Sequence, residues 1–368
     1  MYIWEHPDWP TFRWSAARLQ SLLSEAHFKH GRLLGAVGRL GFDVRLRAEA
    51  GAITEQAIKT SEIEGEVLDA ASVRSSVARR LGLPDADPSR QDRRADGVVD
   101  ITLDATKNFA RPLSRERLFT WHAALFPAGY SGLDPVRVGA WRDDAKGPMQ
   151  VLSGPYGRER VHFEAPSAAR IDAEMAAFLD WFNATSAIDG ILHAALAHLW
   201  FVTIHPFDDG NGRIARTIAD MSLARAEGSS QRFYSLAGQI RKERSDYYAT
   251  LETAQKGDLD VTDHLAWFVG CFTRAIEAAE NTLAGTLRTA DFWQRHALVA
   301  FNERQRRVLN RILYGFEGKL TARKWTTLAK CSTATAQRDI NELVDRGVLV
   351  RNPGGSKNTS YAITSDNP

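Results

Sequence analysis

Cysteine is nearly absent from this chain of 368 residues: Cys271 and Cys331 stand alone. Two thiols sixty residues apart match neither zinc-site nor redox-motif spacing and build no disulfide framework. A reducing compartment is implied, and the cytoplasm is the expected location. Long apolar runs are missing too. The longest, "LAWFVGCF" at 265–272, is far short of the roughly 20 residues that a bilayer demands, so no membrane partner is expected. "MYIWEHPDWP" at the start lacks a basic stretch followed by an apolar core, so no secretory leader is expected there. Charge of one sign is also lacking. With 47 Lys+Arg against 45 Asp+Glu the net is +2, which does not mark the chain as a whole for nucleic acid. No repeat, low-complexity tract or Walker A pattern occurs, and the last absence excludes a P-loop nucleotide site. What remains, 44% hydrophobic and 25% charged residues, suits a soluble protein of two or three domains.

Apolar spacing predicts a mainly α chain. Leu19, Leu22, Leu23, Ala26, Leu33, Leu34 and Val37 recur at helical intervals within 15–40, and a second helix over about 43–63 should stop at Gly65. A Pro- and Asp-rich loop at 81–94 is the first boundary. Helical patterns return at about 93–109, 114–125, 167–183 and 189–204, and continue to about 300. The exception is "MQVLS" and "RERVHFE" flanking "GPYG", a β-hairpin signal. Residues 301–363 differ. Short helix, small-residue turn, longer helix and two strands around a Gly-rich loop predict a C-terminal winged helix-turn-helix. The expected domains are 1–90, 91–300 and 301–368. Between Glu303 and Lys357, twelve Lys/Arg face five Asp/Glu, a local net of +7 that the whole-chain balance hides. That excess suits weak DNA binding. A protein-docking module fits equally, because "TATAQRDINELVDRG" sets only Arg338 and Arg346 against Asp339, Glu342 and Asp345.

The densest chemistry lies in "HPFDDGNGRIAR", 205–216. Proline after His205 ends the preceding apolar helix. "GNG" supplies backbone that approaches a ligand closely, and the helical spacing from Gly212 onward sets this loop on a helix N-terminus, a natural anion site. Arg213 and Arg216 share a helix face and suit phosphate oxygens. Asp209 suits Mg²⁺ with substrate phosphates completing its shell. His205 alone has an ordinary pKa fit for general-base work near neutrality. These parts describe transfer of a phosphate-linked group from a nucleotide to a hydroxyl. No strand precedes the glycines, so a Rossmann fingerprint is excluded.

The twelve residues resemble the full signature of the Fic family, His-Pro-Phe-x-(Asp/Glu)-Gly-Asn-Gly-Arg-x-x-Arg. The resemblance implies a Fic-type helical core that transfers AMP from ATP to a Ser, Thr or Tyr hydroxyl of a protein, itself included. It implies that His205 deprotonates the hydroxyl and that Asp209 binds Mg²⁺. Asn211 with the amides of Gly210 and Gly212 would form the anion hole, and Arg213 and Arg216 would hold phosphates. Glycine at 212, where phosphorylating relatives carry lysine, favours AMP transfer. "RERVHFE" resembles the flap that aligns a target, giving Val161, His162 and Phe163 as docking residues. The stretch "RSDYYATLETAQKGDLDVTDHLAWFV" resembles the segment downstream of the motif in adenylylating members, with Tyr247 or Tyr248 against adenine.

Upstream, "TSEIEG" at 60–65 resembles the family's inhibitory motif, with Thr60, Glu64 and Gly65 in its fixed places. The first ninety residues resemble the domain often joined to Fic cores. The implied action is Coulombic: Glu64 pairs with Arg216 and denies it to the γ-phosphate. The same glutamate removes AMP from modified proteins in some relatives, and that alternative stays open, as does a DNA-binding regulator whose Fic domain senses nucleotide. A homodimer is an expectation from the family alone.

Overall fold

Helices occupy the segments that the apolar spacing marks. The computed structural model describes residues 1–84, 86–145, 147–154, 158, 160–313, 318–353 and 359–364. Its contacts divide the chain into two compact units, 1–35 with 42–280 and 36–41 with 281–368. The first unit begins with α1 (Ala16–Gly38), α2 (Phe42–Ile63) and α3 (Ala70–Leu81). These are followed by α4 (Arg93–Lys107), α5 (Arg115–Leu125) and two hairpins, β1 (Tyr130–Ser131) with β2 (Asp134–Pro135) and β3 (Gln150–Ser153) with β4 (Arg160–Glu164). Then come α6 (Ile171–Asn183), α7 (Gly190–Ile204), α8 (Asn211–Glu227), α9 (Leu236–Lys242), α10 (Arg244–Lys256) and the start of α11 (Thr262–Arg295). Among the described residues no helix is long and apolar enough to cross a membrane. Three residues of the expected "GPYG" turn, 155–157, lie outside the described residues.

The centre of this unit is α7. Every residue from Ile191 to Ile204 is buried, as an all-round apolar helix must be, and it packs lengthwise on α8. The aromatic cluster near the N-terminus is part of this core. Trp9 and Phe12 meet the ring of Trp200 on α7 edge-on, and the Trp9 indole donates to Glu174 at 2.9 Å. α2 is tied to α8 by Gln56, whose amide donates to buried Asp220 at 2.7 Å while its oxygen accepts from Ser235 and the Ala237 amide.

α2 ends in a Schellman turn. Gly65 N–H reaches Glu62 C=O and Glu66 N–H reaches Ser61 C=O. Gly65 sits at φ 84, a conformation that glycine alone adopts without strain. The turn sets Glu64 and Glu66 on either side of one fixed residue.

The second unit has its own apolar core, built on Val308, Leu309, Trp325, Ile340, Leu343 and Val348. It contains α12 (Glu303–Leu313), β5 (Leu320–Thr321), α13 (Ala322–Ala329), α14 (Thr333–Asp345), β6 (Leu349–Arg351) and β7 (Ser360–Ile363). The strands form one antiparallel sheet in the order β5-β7-β6, one strand more than the sequence suggests. Residues 354–358 of the Gly-rich loop lie outside the described residues. Ser332 caps α14 through the Thr335 amide. Two of its acids are paired, one buried and one with 42% of its side chain exposed. Asp339 is buried and accepts two bonds from Arg304 at 3.0 Å, and Glu342 accepts from Arg346 and Gln305. The exposed stripe carries Thr333, Ala334, Arg338 and Asn341, with Asp345 at its far end.

Candidate active site

α7 stops at Ile204, as Pro206 requires, yet His205 does not become extended. It adopts φ 53, ψ 56, a left-handed conformation that costs a non-glycine residue about 1–3 kcal/mol. Three bonds hold it there: its amide to Phe201 O at 3.0 Å, its carbonyl from Arg142 Nε at 2.8 Å, and its ring Nδ1 on Val202 O at 3.1 Å. A carbonyl only accepts, so Nδ1 carries the proton and Nε2 keeps its lone pair. Burial holds the His205 pKa below the ordinary value, so the ring is neutral at pH 7.

The loop turns at Gly210, φ 80, and α8 begins at Asn211. Its first intrahelical bond is Ile214 N–H to Gly210 O, which leaves the amides of 211–213 as helix N-terminal donors. The Asn211 side chain has another role than the expected anion contact. Its oxygen accepts from the Phe207 amide at 3.0 Å and its nitrogen donates to the Phe207 carbonyl at 2.8 Å, closing the loop. What Asn211 can offer an anion is its backbone N–H. Phe207 is fully buried and stacks on His122 at 4.2 Å.

Arg216 is buried and fully engaged. Nε donates to Thr60 Oγ1 at 2.8 Å, and one terminal nitrogen donates to both Thr60 O at 2.9 Å and Glu64 Oε1 at 2.7 Å. A Cβ on Gly212 would lie 2.3 Å from Glu64 Oε1. The Glu64 carboxylate thus stands directly before the N-terminus of α8, where the anion of a ligand would sit. Thr60, Glu64, Gly65, Gly212 and Arg216 are all brought together. Arg213, also buried, donates to Glu66 Oε2 at 2.6 Å and lies over the Phe126 ring.

Asp209 is half-exposed and accepts from the Ser131 hydroxyl and the Gly210 amide. Among the described residues no cluster of three metal-binding side chains occurs. One open carboxylate beside an anion site fits Mg²⁺ in the manner that needs substrate phosphates as co-ligands.

Two expected residues are corrected, Tyr247 and Phe163. Tyr247 is only 2% exposed and lies behind Arg216, its hydroxyl on His198 Nε2 at 3.1 Å and near Arg216 at 3.5 Å. It braces the arginine and has no open face for adenine. Tyr248 is partly exposed, with its hydroxyl on Ile63 O and its ring under Arg244. On β4, Phe163 is buried against Tyr2 instead of facing a docking segment. His162 falls at a bulge and pairs with Glu252 at 2.7 Å. Val161 and its cross-strand partner Leu152 are an exposed apolar pair.

Three contributors have no local signal in the sequence or only a faint one. Arg142 clamps the backbone of His205 and Pro206 and pairs with Asp144. His122 bridges the Gly139 amide and the Asp209 carbonyl, with burial pushing its pKa down to about 4. Both reach the loop from more than sixty residues away. Glu66 is nearer to hand, since "EGE" flanks one glycine with two acids.

Residues 112–223 match the Fic/DOC family. Residues 2–83 match a domain of unknown function, DUF4172. The protein adenylyltransferase fic-1 of Caenorhabditis elegans is 32% identical over 159 residues, 43% of this chain and 27% of that protein. Its counterpart from Caenorhabditis briggsae is 34% identical over 119 residues, 32% of this chain and 21% of that protein. The chain thus spans about a quarter of the length of these relatives. The crystal structure of a Fic family protein from Desulfovibrio desulfuricans G20 shares the fold over 96% of this chain and 98% of that one, with TM-score 0.56 and 19% identity.

Proposed function

We propose that the chain transfers AMP from ATP to a Ser, Thr or Tyr hydroxyl of a protein, itself included. The carrying observation is that His205, its Nδ1 on Val202 O and its Nε2 left to accept, sits in one loop with a helix N-terminus bearing two arginines. The Fic/DOC match and the names of the chain's relatives support the same reading. The hydroxyl proton passes to Nε2 while the oxygen bonds to the α-phosphorus and the bond to pyrophosphate breaks. The 211–213 amides, Arg213 and Arg216 receive the phosphates. Mg²⁺, held through Asp209, would neutralise phosphate charge.

Glu64 acts as a brake in this reading, because its carboxylate fills the place and the partner that a γ-phosphate needs. Intact-mass analysis after incubation with Mg²⁺ and ATP tests both ideas. Wild type should gain little AMP, Glu64→Gly should gain on the order of tenfold more, and Glu64→Gly with Arg216→Ala should fall back. Glycine at this helix end costs about 1 kcal/mol at most. Equal labelling of Glu64→Gly and wild type, on the chain or on lysate proteins, would remove the brake.

For the C-terminal unit we read a winged helix-turn-helix that binds duplex DNA. The burial of Asp339 under Arg304 favours this over protein docking, because it takes one acid off the helix face on which Arg338 and Asn341 are exposed. The full chain should shift duplex DNA at low salt and release it as salt rises. No shift at any protein concentration would end this reading.

A further inference from the structure

We infer that Glu66 is a second carboxylate latch, one that holds Arg213 away from nucleotide and sets how tightly ATP binds. This rests on reading 205–216 as a nucleotide phosphate site. Arg213 is buried, with only 5% of its side chain exposed, and one terminal nitrogen donates to Glu66 Oε2 at 2.6 Å. Its guanidinium lies 5.0 Å from the Phe126 ring centroid, and among the described residues its Nε has no hydrogen-bond partner. Its other terminal nitrogen lies 4.0 Å from Asp209, so the hydrogen-bonded Glu66 is the nearer of two carboxylates that hold this buried cation. Phosphate oxygens approaching the N-terminus of α8 must take the first nitrogen from Glu66.

Glu66 has somewhere to go. Its other oxygen lies 3.7 Å from the exposed guanidinium of Arg94 on α4. The side chain can therefore leave Arg213 without stranding its charge. The Schellman turn makes the device double: with Gly65 fixed, Glu64 reaches Arg216 and Glu66 reaches Arg213. The two should differ in effect. Glu64 lies over Gly212, in the path of the phosphates, and so governs geometry and rate. Glu66 competes only for a side-chain donor, and so governs affinity.

The test is calorimetric titration of the full chain with ATP and Mg²⁺ in a Glu64→Gly background, together with the transfer rate at saturating ATP. Adding Glu66→Gln, which keeps the shape and removes the charge, should lower the ATP Kd about three- to tenfold and leave the saturated rate unchanged. Arg213→Ala should raise the Kd. Arg94→Ala should weaken ATP binding when Glu66 is intact and have no effect in the Glu66→Gln chain, a coupling that a merely structural glutamate would not show. If Arg213→Ala weakens binding but Glu66→Gln weakens it too or changes nothing, Glu66 only braces the arginine and the latch is wrong. If Arg213→Ala leaves affinity unaltered, the phosphate-site reading of Arg213 fails, and the latch falls with it.

Discussion

α8 and α14 use the same materials to opposite ends. Each begins after a short turn and carries arginines near acids. At α8 the acids silence the arginines: Glu64 and Glu66, brought from the end of α2, engage Arg216 and Arg213. At α14 the arginines pair the acids: Arg304 covers buried Asp339, Arg346 engages Glu342 at the surface, and Arg338 and Asn341 stay outward. By charge count α8 is +1 and α14 is −2, yet the first has acids over two of its arginines and the second presents a cation. The lesson is that the partner, not the count, decides which charge a helix shows to its surroundings. Partners are chosen by tertiary contact.

The comparison breaks most visibly at its catalytic end. His205→Ala should lower the transfer rate measured in the Glu64→Gly background by on the order of 10²–10⁴-fold, with ATP affinity largely kept. Near wild-type turnover would take His205 out of the chemistry. Acid offers a second separation. His122, His193 and His264 are buried, and burial holds each at a pKa of about 4. Their unfolded forms take a proton near 6.5, so across that window the unfolded state binds more protons. Stability must then fall as the pH drops from about 6.5 to about 4, by up to roughly 3 kcal/mol per histidine. All three lie in the first unit. In the second, burial pushes the Asp339 carboxyl up, but its bonds from Arg304 and Asn302 outweigh that and hold it below the ordinary carboxylate value. Its stabilisation is present above the unfolded value and is lost only as the pH falls through the lowered one. Calorimetry at stepped pH should show the first unit's transition moving down well before the second's, and a joint shift would contradict these assignments. The smallest effect sharpens the α14 side. Arg338→Ala should reduce discrimination between duplex sequences by about 1–3 kcal/mol at one position while leaving salt-dependent background binding intact. Uniform weakening on every sequence would make Arg338 a phosphate contact.

Much of the fold was legible because it depends on periodicity. The α7 and α8 segments, the stop at Gly65 and the β-hairpin come from spacing, proline and glycine, which act on immediate neighbours. The third strand, β5, was not, since two residues carry no period. Where the side chains point in the hairpin was not legible either: the bulge at His162 rotates Phe163 into the core. Tyr247 and Tyr248 are adjacent and chemically alike, and only packing turned one behind Arg216 and left the other partly open.

The sequence by itself determined the helices and turns, and it put His205, Asp209, Arg213 and Arg216 within one twelve-residue stretch, because capping, proline geometry and glycine freedom are local. Tertiary structure alone decided what those groups touch. Arg142 and His122 arrive from across the chain to hold the loop, Asn211 is spent on closing it, and two glutamates from the end of α2 take the arginines. Such pairings depend on where distant backbones come to rest, and burial then fixes their charge states by removing water that would otherwise compete.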